Sequence, residues 1–110
     1  MTLDEARRLA LVLPEAVESG HMGHADFRVS NKIFASVPDA ARFVVKLTPE
    51  QQEIMTGAEP KVLAPVKGGW GRQGWTYVTL AAADETTLTS ALLTSWKNVA
   101  PKRLVKEFEE

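Results

Sequence analysis

Lys67-Gly-Gly-Trp-Gly-Arg-Gln-Gly-Trp75, running on into Thr-Tyr-Val-Thr-Leu80, decides how this chain folds. Gly69, Gly71 and Gly74 reproduce the G-x-G-x-x-G spacing of a dinucleotide-binding turn. Such a turn works only when a helix N-terminus comes next, because free N–H groups and the helix dipole hold the pyrophosphate. Trp75–Leu80 instead alternates and is β-branched and aromatic, which is the pattern of a strand. The glycines are therefore expected to form a mobile, cationic, Trp-bearing loop between two strands. A nucleotide cradle is not expected.

Working outward, the residues before this loop, Lys61–Val66, form a strand that pairs with Trp75–Ala81 as a long-loop hairpin. Asp84 caps a helix whose stripe is Leu88, Ala91, Leu92, Ser95/Trp96 and Val99, and a short basic helix follows Pro101. Upstream, Thr48-Pro-Glu-Gln51 carries a capping box with Pro at the first helical position, and Gly57 is the expected stop. Further upstream lie strands at Ala16–His21, Asp26–Ser30, Lys32–Pro38 and Arg42–Leu47. Asn31 and Pro38-Asp39 separate the last three, and connections this short require antiparallel neighbours. Thr2-x-x-Glu5 caps a first helix with Leu3, Ala6, Leu9/Ala10 and Leu13 on one face, ended by Pro14. The expected fold is a single α+β domain over residues 1–110, two-layered, with helices packed on one face of an antiparallel sheet.

With 110 residues the chain can bury one real core. It has no cysteine, which excludes disulfides, thiolate metal sites and thiol catalysis. No leader-like or membrane-length apolar run is present, so a cytoplasmic, monomeric protein with no membrane contact is expected. The net charge of −1 argues against wholesale attraction to nucleic acid, but its distribution is uneven. Residues 60–106 hold seven Lys/Arg against Asp84 and Glu85, whereas residues 1–59 hold six against nine Asp/Glu. The seven cations either gather on one positive face or scatter as solvated side chains.

Alternation sorts the strands into two faces. Phe27, Val29, Phe43, Val45, Leu47, Val78 and Leu80 take the core side. Arg28, Ser30, Arg42, Val44, Lys46, Trp75, Tyr77 and Thr79 take the other, an open face with three cations and two large aromatics. Cations beside aromatic platforms suit a strand of nucleic acid; equally, Trp75 and Tyr77 can form a small second core against Arg stems. The tip bearing Lys67, Trp70 and Arg72 resembles a wing, or is simply a turn that needs glycine. His21 and His24, with Glu18 and Asp26 nearby, lack the rigid framework of a metal site, so no metal and no cofactor are expected. Ser36 and Ser95 lie inside regular elements, and the paired acids Asp4-Glu5 and Asp84-Glu85 sit at helix starts. No catalytic set is visible, and the chain is not expected to be an enzyme.

Leu13-Pro14, Phe27-Arg-Val-x-x-Lys-Ile-Phe-Ala35, Gly71-x-x-Gly-Trp-x-x-Val-x-Leu80 and Ser95-Trp-x-x-Val-Ala100-x-Lys102, in that order, resemble the MmcQ/YjbR family. The likeness runs from about Leu3 to Lys106, with Asn31 where a glycine is common and Trp96 where tyrosine is common. The resemblance implies a compact "double wing" α+β domain that binds DNA, with wings at Ser30–Lys32 and Lys67–Gly74. Arg28, Lys32, Arg42, Lys46, Lys67 and Arg72 would then meet phosphates, while Trp70 and Trp75 stack or wedge, with weak sequence preference. About four to six neutralised phosphates imply a log–log salt slope near −4 to −5. The alternative partner is a protein or peptide, captured on the open sheet face or an exposed edge, as in chaperone-like domains.

Overall fold

The computed structural model describes residues 1–21 and 23–110, and of His21 the backbone alone. Helix α1 (Leu3–Leu11) leads into strands β1 (Val17–His21), β2 (His24–Val29), β3 (Lys32–Asp39) and β4 (Arg42–Lys46). Helix α2 (Pro49–Ala58), β5 (Leu63–Pro65), a four-residue helix α3 (Gly69–Arg72), β6 (Trp75–Thr79), α4 (Glu85–Val99) and α5 (Lys102–Glu109) complete the chain. The six strands form one sheet in the order β1-β2-β3-β4-β6-β5, and every pairing is antiparallel. The α+β architecture expected from the alternation is present.

Local sequence sets the helix starts. Thr2 and Glu5 close one capping box and Thr48 and Gln51 another, with Pro49 at the first position of α2. Gly57 is not the stop that the sequence suggested. It lies inside α2, and Glu59 caps the helix by donating its N–H to the Met55 carbonyl. That turn uses Lys61 and Val62, so β5 is three residues long instead of six.

The face assignment holds. Phe27, Val29, Phe43, Val45, Leu47, Val78 and Leu80 are all buried, with Phe27 and Phe43 stacked at 5.5 Å. Helix α4 lies across β3 and β4 with Leu88, Ala91, Leu92 and Trp96 in the core, and α1 packs Ala6 and Ala10 beside it. Trp96 is fully buried, and its indole Nε1 donates to the Pro14 carbonyl at 3.0 Å. The ring thus keeps a polar partner where a tyrosine hydroxyl would otherwise supply one. At the β2–β3 turn, Ser30 and Asn31 have φ of 49° and 65°. A two-residue turn with both residues left-handed suits the twist of the strands, and Asn is among the few side chains that tolerate it.

Three exposed carboxyls are held below their ordinary range. Glu5 is lowered by the Thr2 backbone N–H, Asp84 by the Thr87 backbone N–H, and Asp39 by the Arg42 guanidinium. Each binds a proton less readily folded than unfolded. Their contribution is therefore complete above the unfolded carboxylate values, about 4, and is lost as pH falls through the folded ones. The thermal midpoint, followed by circular dichroism from pH 7 to pH 2, is expected to hold steady and then drop below about pH 4. Asp84→Ala should flatten that drop.

Candidate functional site

The face opposite the helices is open, and its geometry follows from register. Ser19, Asp26, Ser36, Val44, Tyr77 and Ala64 stand in one cross-strand row spanning all six strands. A β-bulge between Phe27 and Arg28 and a second irregularity between Ser36 and Asp39 break the even pleat on either side of this row. A cleft of about 380 Å³ opens there, within the ordinary range for ligand clefts. Asp26, Ser36 and Val44 lie along it, Trp70, Trp75, Tyr77 and Val66 line one side, and His24, Ile33 and Pro38 complete it.

The Gly-rich segment differs from the expected mobile loop. It contains a helical turn, α3, that no pattern in the sequence announced, and it is clamped. A Cβ on Gly71 would stand 1.7 Å from the Val66 carbonyl oxygen, and one on Gly74 1.8 Å from that of Leu47. The Gln52 side-chain amide donates to the carbonyls of Gly71 and Trp75 and to Thr76 Oγ1, at 2.9–3.1 Å. Close backbone approach requires glycine at both positions, and at Gly74 a φ of +106° requires it as well. Because α3 is one turn long and feeds β6, the G-x-G-x-x-G spacing builds no nucleotide cradle. It builds a rigid wall that carries Trp70.

The eight candidate residues fall into three groups. Lys46, Trp70 and Trp75 come together at the β6 end of the cleft, and exposed Lys67 and Arg72 lie close to Trp70 along the chain without lining it. There Trp70 and Trp75 meet edge-on at 6.1 Å, and Lys46 lies 5.2 Å from the Trp75 ring centroid while donating to the Gln73 carbonyl. Lys67 and Arg72 flank Trp70 with no carboxylate partner among the described residues. Arg28 and Arg42 also face the open side, but both are neutralised. Arg28 grips Asp26 through two bonds of 2.9 and 3.1 Å. Arg42 bonds Asp39 at 2.8 and 3.0 Å and covers Tyr77 at 4.0 Å. Lys32 stands apart: it is in register with Val29, a core residue, and so belongs to the helix side of the turn.

Nor do the seven cations of residues 60–106 gather on one face. Lys102, Arg103 and Lys106 ride on α5, which joins the helix layer through buried Leu104 and through Phe108 against Trp96. Lys97 pairs with Glu109, and Arg103 with Glu15. Of the seven, Lys67 and Arg72 belong to the segment that carries Trp70 to the cleft wall, and both are exposed. Both candidate wings nevertheless leave the same end of the sheet, since Arg28 faces Ile33 and Lys46 faces Trp75.

Sequence reasoning weighed His24 with Asp26, and Ser36 separately, and did not bring the three together at the floor of one cleft. Asp26 is only 3% exposed and Ser36 is half-buried, and both line the same cavity as His24. These are the residue types of a hydrolytic triad, but Asp26 is bound to Arg28 and no hydrogen bond joins His24 to either partner among the described residues. Glu18, once a metal-ligand candidate, is taken by Arg7 at 2.7 Å, and no cluster of three metal-ligating groups exists among the described residues. A site that pairs His21 with His24 lies outside them. No helix among them is long and apolar enough to cross a membrane.

An antiparallel sheet with one face under helices and the other bearing an aromatic-walled cleft defines a class of small open-faced α+β domains. A YjbR family model matches residues 11–98, and the chain belongs to that family. Its structure is similar to the crystal structure of Deinococcus radiodurans protein DR2400, which carries the family-model domain DUF419. The match has 24% identity and a TM-score of 0.76, over 98% of this chain and 88% of that one. No curated protein matches the sequence.

Proposed function

We propose that the open face binds single-stranded nucleic acid, DNA in the first instance, and performs no chemistry on it. One observation carries this reading. Trp70 is 64% exposed at the mouth of an apolar cleft, and Lys67 and Arg72, which flank it along the chain, have no carboxylate partner among the described residues. An exposed indole beside cations is a stacking platform with phosphate contacts on either side. The clamped loop favours unpaired over duplex DNA, because a rigid wall lining a cleft receives a base face more readily than it enters a groove.

Removing Arg28, Arg42 and Lys32 from the phosphate set leaves Lys46, Lys67 and Arg72. Three contacts on a single strand correspond to a log–log salt slope of about −2, shallower than six cations would give. Fluorescence anisotropy of a labelled oligonucleotide from 20 to 300 mM salt measures it. Trp70→Ala should weaken binding about tenfold, within the range of a lost stacking contact, without changing the slope. Lys67→Ala with Arg72→Ala should flatten the slope. Binding with no salt slope would refute the reading. That outcome belongs to the second candidate, a protein or peptide side chain seated in the cleft, which the apolar walls and the two neutralised arginines favour.

A further inference from the structure

We propose that the cleft floor discriminates among bases, admitting those with an exocyclic amino group and rejecting those with a carbonyl in its place. This rests on the single-strand reading above. The floor is an acceptor surface set in apolar walls: the Asp26 carboxylate, almost fully buried, and the Ser36 hydroxyl directly across from it in the β2–β3 register. Arg28 fixes the carboxylate by bonding one nitrogen to each oxygen, at 2.9 and 3.1 Å. A carboxylate offers about four lone-pair sites, so each oxygen keeps capacity for one more donor.

A ring stacked against Trp70 and reaching inward presents its edge to this surface. The N4 amino group of cytosine donates to it, and carboxylates are the usual acceptors for that group. The O4 of uracil or thymine brings a lone pair against the carboxylate. In an apolar enclosure an unpaired acceptor is costly, so the difference is larger than it would be on an open surface. Ser36 tunes the contact without deciding it, because a hydroxyl can turn to donate or accept.

The test compares oligo(dC) with oligo(dU), which differ only at the Watson–Crick edge, by anisotropy at pH 7.5 and fixed low salt. The native protein is expected to bind oligo(dC) about tenfold more tightly. Asp26→Asn, which replaces one acceptor oxygen by a donor, should bring the two within about twofold. Because Asp26→Asn also loosens Arg28, Ser36→Leu provides an independent arm. It fills the floor and should abolish the preference while leaving the salt slope of Lys46, Lys67 and Arg72 in place. Equal native affinity for the two oligomers overturns base discrimination and leaves single-strand binding standing. Preference that survives Ser36→Leu overturns it as well. Failure of both oligomers to bind at low salt removes this proposal and the single-strand reading together.

Discussion

Gly74→Ala is expected to lower the thermal midpoint by about 15–25 °C, following a loss of about 3–4 kcal/mol from strain and overpacking combined. Two penalties fall on one methyl group. Gly74 has φ of +106°, a conformation unfavourable for any residue with a Cβ, and that Cβ would sit 1.8 Å from the Leu47 carbonyl oxygen. The neighbouring atom is backbone at the end of β4, where Leu47 N–H also donates to the Gly74 carbonyl, so it cannot turn aside. Relief would require parting β4 from β6, two of the central strands. Gly57→Ala is the matched control: it lies inside α2 with nothing within 4 Å of an added Cβ, and should stabilise by about 0.5–1 kcal/mol. If Gly74→Ala melts within a few degrees of the native protein, the close joint at the base of the Trp70 wall is wrong.

The second large effect is expected at Trp96. Trp96→Ala should cost about 3–5 kcal/mol, since the ring is fully buried, packed on Phe108 and bonded to Pro14, and its removal leaves a large cavity in the core. Trp96→Phe separates packing from polarity. It keeps an aromatic ring but leaves the Pro14 carbonyl without its indole donor, for a loss of about 1–2 kcal/mol. Urea unfolding distinguishes the two through the midpoint at constant slope. Equal stability of Trp96→Phe and the native protein would mean that the Pro14 contact contributes nothing.

Much of the fold was legible because its determinants are local. Capping boxes announce α1 and α2, and period-two alternation assigned the core face of β2, β4 and β6 correctly. The β2–β3–β4 meander and the β5–β6 hairpin were legible from their connections, but the pairing of β6 with β4 was not, since strands so far apart along the chain carry no local signature of it. Helix α3 was hidden because glycine flanking Trp70 reads as loop. The neutralised arginines were a readable signal left unread. Asp26 and Arg28 are two apart on a strand and so share a face, and Asp39 and Arg42 bracket a tight turn. The cleft lies beside two pleat irregularities, and those depend on partner strands that no single segment encodes.

The unequal settings of the three indoles give this molecule two separate optical reporters. Trp96, sealed in the core, should emit at the blue edge and resist acrylamide, while the open Trp70 should emit to the red and quench readily. Changes at the open face and global unfolding can therefore be followed in one cuvette, at different wavelengths, without attaching a dye.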